Sequence, residues 1–331
     1  MIPNTCFMEG YFVRSKENLI FEIKGNVHPR GRVIAYLRYV PDENLEGQFR
    51  KVYDLQEREL LLRRRYPKYL WWSDVYGRVL QSVDYGSIVE VLNPVQSLDI
   101  FRKTSQIPEI VETAVFLSQQ LVKGSEIPWS SLGVTGSVLT GTTTEVSDVD
   151  LVVYGERECR KLHGFLRRNP ESIFGMERYT GSELERLVRF RWPRLEEYHN
   201  ILKPIEAEKV LQGRFEGRDF YIRLVKTCDE VGSEYGSKMF QYVGRDNVRC
   251  RIIDASQSIF TPCRYIVEDL SSDHKIVELV SYRGRFTEHA NTGQLVDVYG
   301  RIERVVNTHS GLYHHQVVLG ENPEDYLLPR L

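Results

Sequence analysis

Asp148 and Asp150 stand two residues apart in the run Asp148-Val149-Asp150-Leu151-Val152-Val153-Tyr154. On a strand, alternation sends both carboxylates to one face and turns Val149 and Leu151 into a core. Two carboxylates on a rigid strand suit Mg²⁺, a hard cation that takes oxygen ligands and bridges to phosphate. Two such ions ~3.5–4 Å apart can clamp the attacking and leaving oxygens of an in-line displacement. A second group lies just upstream. Gly136 permits a tight turn and close backbone approach to an anion. Ser137 adds an N–H and a hydroxyl, at the positive end of a helix if the turn opens one. Thr140-Gly141-Thr142 is a further small-residue turn, and successive N–H groups of this kind make an anion nest. The stretch reads as phosphate at one end and metal at the other. Either half alone is an ordinary turn or a strand with two solvated acids; their spacing and context join them.

The elements that must hold these residues follow from pattern. Leu132 to Thr135 and Asp148 to Tyr154 read as strands flanking a loop over 136–147, with Gly155 ending the second. A helix is expected from Pro108 to Lys123, with acids in its first turn and Gly124 as cap. Residues 156–168 read as a basic helix, and 181–211 as helical with breaks near Pro193 and Pro204. Asp219 to Val225 reads as a strand, so strands and helices alternate through an α/β core.

The flanks have a different texture. Residues 10–40 are β-branched and aromatic runs split by turn formers, and a helix is expected over 54–65. Residues 246–331 carry strand-like runs separated by turn clusters at roughly 8–12-residue spacing, as in a small sandwich or barrel. The two strand-rich ends could share one β layer. The division expected is 1–105 as an N-terminal β-rich accessory region, 106–228 as the core and 229–331 as a C-terminal β-rich domain.

The stretch Gly136-Ser137, spacer, Asp148-Val149-Asp150-Leu151 resembles the DNA polymerase β-type nucleotidyltransferase superfamily, which includes poly(A) polymerases, CCA-adding enzymes and antibiotic nucleotidyltransferases. The shared pattern is hydrophobic–Gly–Gly/Ser, a spacer, then Asp–hydrophobic–Asp/Glu–hydrophobic, and Gly141-Thr142 matches a Gly-Thr found in the spacer of many members. The segments GNVHPRGRVIAYLRYVPD, KVYDLQERELLL and SIFTPCRYIVEDL are similar to an uncharacterised archaeal family of predicted nucleotidyltransferases, which brings no assigned substrate. The resemblance implies an α+β fold: a polymerase β-like core, a mixed sheet with helices, between the β-rich flanks. It implies transfer of NMP from an NTP to an acceptor hydroxyl with release of pyrophosphate. Gly136, Ser137, Gly141 and Thr142 would hold phosphate, and Asp148 and Asp150 would hold two Mg²⁺ ions. RNA is the acceptor favoured, because the added β-rich flanks suit a macromolecule.

The superfamily also uses a third carboxylate on a neighbouring strand. In Asp219-Phe220-Tyr221-Ile222-Arg223-Leu224-Val225 the residues Asp219, Tyr221 and Arg223 share the non-core face. Asp219 has the right parity but stands at the strand's start, and Arg223 occupies the mid-strand position. Three readings stay open: Asp219 is the third metal-binding acid, nearby Glu216 replaces it, or the site is weakened. In the last case Arg223 is an anion contact in a degenerate core that serves as a nucleotide- or RNA-binding regulatory module.

Composition bounds these readings. The chain has 331 residues, 41% hydrophobic and 27% charged, enough to bury a core in two or three domains. A net charge of −2 argues against a protein that coats nucleic acid wholesale, although 44 Lys and Arg leave room for a local basic groove. The five cysteines are scattered without a CxxC pair, so neither a zinc site nor a disulfide framework is expected, and a reducing cytosol fits best. No apolar run approaches a membrane span of ~20 residues, and the first residues do not resemble a signal peptide. A cytoplasmic protein without membrane contact is expected. His28, Arg30, Arg32, Arg38 and Tyr39 form a candidate basic and aromatic surface, as do Arg63, Arg64, Arg65 and Lys68 with the aromatics up to Trp72. His314 and His315 point to opposite faces of a strand, which argues against a shared metal.

Overall fold

The computed structural model describes residues 6–42, 45, 47–168 and 173–330. In chain order its strands are β1 (Phe12–Ser15), β2 (Ile20–Ile23), β3 (Arg32–Pro41), β4 (Phe49–Lys51), β5 (Leu70–Ser73), β6 (Arg78–Asp84), β7 (Ile88–Leu92), β8 (Leu132–Val134), β9 (Val149–Tyr154), β10 (Met176–Glu177), β11 (Gln212–Phe215), β12 (Arg218–Val225), β13 (Lys238–Asp254), β14 (Cys263–Asp269), β15 (Ile276–Ser281), β16 (Leu295–Asn307), β17 (Tyr313–Leu319) and β18 (Tyr326–Pro329). The helices are α1 (Leu55–Arg65), α2 (Pro94–Phe101), α3 (Glu109–Ser125), α4 (Gly136–Thr140), α5 (Glu156–Arg168), α6 (Gly181–Arg191), α7 (His199–Glu208) and α8 (Cys228–Val231).

The chain divides into two compact units, residues 1–168 with 215–235, and residues 169–214 with 236–331. This differs from the three consecutive segments expected from sequence, and the cores explain why. In the first unit the sheet β5-β6-β3-β2-β1-β7, with β4 also on β3, shares a core with the sheet that carries the aspartates. Val152, Tyr154 and Val225 pack among Val13, Phe21, Ile23, Ala35 and Leu37. Polar ties cross the same boundary: Tyr154 Oη donates to the Glu9 carbonyl at 3.0 Å, and Asn26 Nδ2 donates to the Lys226 carbonyl. In the second unit Val188 of α6, the following Trp192 and Leu202 of α7 are buried against the strands of residues 248–328, so this helical segment belongs with the C-terminal strands. The two strand-rich ends form separate sheets in separate units.

Local chemistry sets the element ends. Asp54 caps α1 by accepting the Glu57 N–H at 2.8 Å, and Arg63, Arg64 and Arg65 lie at its negative end. Gly124 is inside α3 instead of ending it; a methyl there would collide with the Phe165 ring of α5, so it is a close-packing residue. Pro193 falls between α6 and α7 as expected, but α7 continues through Pro204, where burial of Leu202 compensates for the lost helix hydrogen bond.

The cysteine reading needs one correction. Cys6 and Cys228 form a disulfide with Cα atoms 6.5 Å apart and a sequence separation of 222, a pairing that no local spacing announces. Cys159, Cys250 and Cys263 are buried free thiols, and burial pushes the last two up to about 12. Among the described residues no helix is long and apolar enough to cross a membrane.

Candidate functional site: the Asp148–Asp150 strand

The site is built on three strands in the order β8-β9-β12, with β8 antiparallel and β12 parallel to β9. Val149, Leu151 and Val153 are buried on one face of β9, toward α3 and α5. The other face carries Asp150, then Val152 and Tyr154, which lie in the core shared with β1, β2 and β3. The N-terminal sheet therefore covers this face from Val152 onward. Asp148 and Asp150 are left at its margin, half-buried.

The Gly136-Ser137 turn is pressed against this margin. The Thr135 N–H donates to the Asp150 carbonyl at 2.9 Å, and the Thr135 hydroxyl is anchored on the Gly10 carbonyl. Gly136 has φ +62° and lies so close that a methyl group on it would collide with Asp150 Oδ2. Only glycine satisfies both conditions. Ser137 is 6% exposed, and its Oγ has no hydrogen-bond partner. A buried hydroxyl without a partner costs free energy unless a ligand satisfies it.

Gly141 and Thr142 are placed differently from the anion nest expected. Their amides both donate to the Ser137 carbonyl, closing α4, and the Thr142 hydroxyl meets Thr140 Oγ1 at 2.8 Å. They shape the turn that presents Ser137.

Electrostatically the aspartates form a strained pair. Burial, and then the neighbouring Asp148 charge, push the Asp150 carboxyl up to about 7, while Arg223, Lys51 and Arg38 pull the other way. The last two come from β4 and β3. Tyr53 lies beside them, with Lys51 Nζ 4.6 Å and the Arg38 guanidinium 5.8 Å from its ring centre. Arg38 and Lys51 thus bring positive charge from the N-terminal sheet to the carboxylates.

On β12, Tyr221 lies opposite Asp150, which puts Asp219 on the aspartates' face and one step further out. It is half-buried. Among the described residues no group of three His, Cys, Asp or Glu is placed to hold a metal, so the three acids do not close into one cluster. Glu216 occupies the tight turn before β12 at φ +49°, with Gly217 at +77°. Arg223 is engaged by two carboxylates of the N-terminal region. It donates to Glu22 Oε1 at 3.0 Å and also to Glu9 Oε1, two carboxylates that Lys24 shares. Sequence reading missed Glu9 and Glu22, whose separations from Arg223 are 214 and 201 residues.

Several of the other candidates have partners within the fold. His28 uses both ring nitrogens, toward the Phe7 carbonyl and the Ile34 N–H, and burial lowers it to about 4. Arg32 bonds Ser82 and the Lys68 carbonyl, Arg63 pairs with Glu59, and Lys68 with Glu17. His314 lies 3.7 Å from Glu278 and His315 donates to the His274 carbonyl.

Residues 125–213 match the family described as nucleotidyltransferase domain. Across most of its length it is similar to an uncharacterised protein of the archaeon Methanocaldococcus jannaschii, 23% identical over 338 residues, covering 95% of this chain and 96% of that one. No solved structure matches it.

Proposed function

We propose that the protein is a Mg²⁺-dependent nucleotidyltransferase that moves NMP from an NTP to an acceptor hydroxyl and releases pyrophosphate. The observation that carries this reading is the contact between Asp150 and the Gly136-Ser137 turn, with Ser137 Oγ buried and unpartnered at that turn. The residues fit the metal. Asp150 is pushed toward neutrality by burial and by the neighbouring Asp148, so a cation shared by the two carboxylates would relieve it. Mg²⁺ takes carboxylate oxygens and completes its shell with water and substrate phosphate, so two protein ligands suffice.

Asp148 and Asp150 would hold the metal, which when bound neutralises charge on the transferred phosphoryl group. Ser137 donates its hydroxyl to a triphosphate oxygen. Gly136 brings the backbone within reach of that phosphate without a side chain in the way. Arg38 and Lys51 add positive charge on the substrate side, and Asp219 stands at the outer edge to orient an acceptor hydroxyl. Rigid positioning and fixed charge supply the rate in such a site, with no covalent intermediate on the protein.

The test is pyrophosphate release with mixed NTPs and total cellular RNA, with and without Mg²⁺. Transfer is expected to disappear in Asp148→Asn with the melting curve intact; wild-type turnover in that variant would place the chemistry elsewhere. Ser137→Ala should raise KM for NTP about tenfold, the worth of one charge-assisted hydrogen bond, with Tm unchanged because no internal bond is lost. Asp219→Asn should lower kcat if it orients the acceptor and leave KM for NTP in place. Mg²⁺-dependent NTP binding by wild type without turnover on any acceptor would favour a degenerate, nucleotide-binding core.

A further inference from the structure

The strands of the second unit close on themselves in the order β13-β14-β15-β17-β16 and back to β13, with β15–β17 parallel and the other pairings antiparallel. This is the five-stranded Greek-key arrangement of the OB barrel, used for oligonucleotides and oligosaccharides. A fold does not assign a ligand; the residues at one end of this barrel do.

β13 is 17 residues long and pairs with β14 only from Cys250 onward. Its first part runs on beside β16, which runs beside β17. Met239 lies opposite Val306 and that opposite Tyr313; Gln241 lies opposite Arg304 and that opposite His315. These residues have the parity of Ile302 and Val317, which are buried in the barrel core. The inner surface therefore continues out of the barrel onto a platform. Tyr313 is 56% exposed there. The Arg304 guanidinium lies 3.9 Å from the Tyr313 ring centre, and the His315 ring stands edge-on to it at 5.8 Å.

Arg304 differs from its neighbours. Arg245, Arg249, Arg264 and Arg301 pair with Asp325, Asp297, Glu278 and Glu303. Arg304 has no ion pair among the described residues, and its Nε is buried without a hydrogen-bond partner. Around Arg304 this face presents no carboxylate: its nearest positions are Gln241, Ile302, Val306, Tyr313 and His315, and Asp246, the acid of the same parity on β13, lies further along opposite Gly300. An exposed aromatic ring and an unneutralised guanidinium make a stacking surface with a phosphate contact, the pairing that single-stranded nucleic acid rewards.

We propose that this platform binds single-stranded nucleic acid, a base stacking on Tyr313 and a backbone phosphate meeting Arg304. An oligosaccharide would stack on the ring but give the free guanidinium no anion. The inference does not need the transferase reading.

The experiment is fluorescence anisotropy of the full chain with a labelled uridine oligomer of about 15 nucleotides, the upper range of one OB barrel, without NTP or Mg²⁺. Wild type is expected to bind, more weakly as salt rises. Tyr313→Ala and Arg304→Gln should each weaken binding about tenfold or more, and Tyr313→Phe should keep it. Gln241→Glu, at an exposed position opposite Arg304, should weaken binding as well, and it serves if an alanine variant melts early. No binding by wild type, equal binding of a duplex, displacement by soluble oligosaccharide, or wild-type affinity in the folded variants would overturn the proposal. Failure of pyrophosphate release would leave this result untouched and count against the transferase reading alone.

Discussion

Asp150→Asn is expected to abolish transfer and, in the metal-free protein at pH 8, to melt roughly 3–6 °C above wild type. Asp150 is raised from 3.8 to about 7 by burial and by Asp148. A raised carboxyl binds its proton more tightly in the folded chain than in the unfolded one. Its ionisation therefore weakens the fold as pH climbs from about 4 to about 7, and the full penalty applies above that window. Three units at about 1.36 kcal/mol each bound the penalty near 4 kcal/mol. Solvent reaching the half-buried carboxyl reduces this to about 1–2 kcal/mol, and a unit of this size shifts by roughly 2–4 °C per kcal/mol. Asparagine keeps the shape and cannot ionise. Melting curves of the two proteins should converge at pH 4 and separate toward pH 8. Mg²⁺ should raise the wild-type Tm at pH 8 by binding the folded state alone and leave the variant nearly still. Equal curves at pH 8, or an equal Mg²⁺ shift in the variant, would mean that the carboxylate is not the repelled metal ligand described.

What was legible in the sequence is what local rules encode. Asp148-Val149-Asp150 can be read because alternation on one strand fixes both carboxylates on a face, and Gly136 because only glycine tolerates that turn against a neighbouring strand. The helix over α1 can be read from Asp54 as cap and the arginines at its end. The illegible part depends on long-range pairing. Nothing near Arg223 tells that its partners are Glu9 and Glu22, so a cation at an acid's expected position looks like damage to a site. Nothing near Cys6 points to Cys228. The ring of the barrel closes only through the long register of β13 on β16, which turn spacing does not reveal. The orphaned Ser137 hydroxyl and the unpaired Arg304 are likewise invisible until every neighbour has a place.

Arg223→Gln is the substitution that separates a structural cation from a disabled active site. In the folded chain Arg223 joins β12 to the N-terminal sheet through Glu9 and Glu22, both buried. Glutamine leaves Lys24 shared by the two carboxylates, with Arg38 4.0 Å from Glu22. Removing one partner of a buried ionic group costs about 3–5 kcal/mol, mostly as the desolvation of the charge left behind, so Tm should fall by on the order of 10 °C. Burial would push Glu22 up, but Lys24, Arg223 and Arg38 together hold it well below the ordinary carboxylate range. A depressed carboxyl contributes stability that is present above its unfolded value of 4.5 and lost as pH falls through the lower folded value. The variant has less of that contribution to lose, so the gap in Tm should be widest near pH 8 and narrow toward pH 4. Arg223→Gln combined with Glu22→Gln should recover part of the loss, because the second change removes the unpaired charge. Transfer measured well below the variant's Tm should survive, since Arg223 serves the joint between sheets and touches no substrate. A variant as stable as wild type would show that the ion network contributes nothing to the fold. A stable variant that gains transfer would make Arg223 the block of a degenerate core and restore that rival reading.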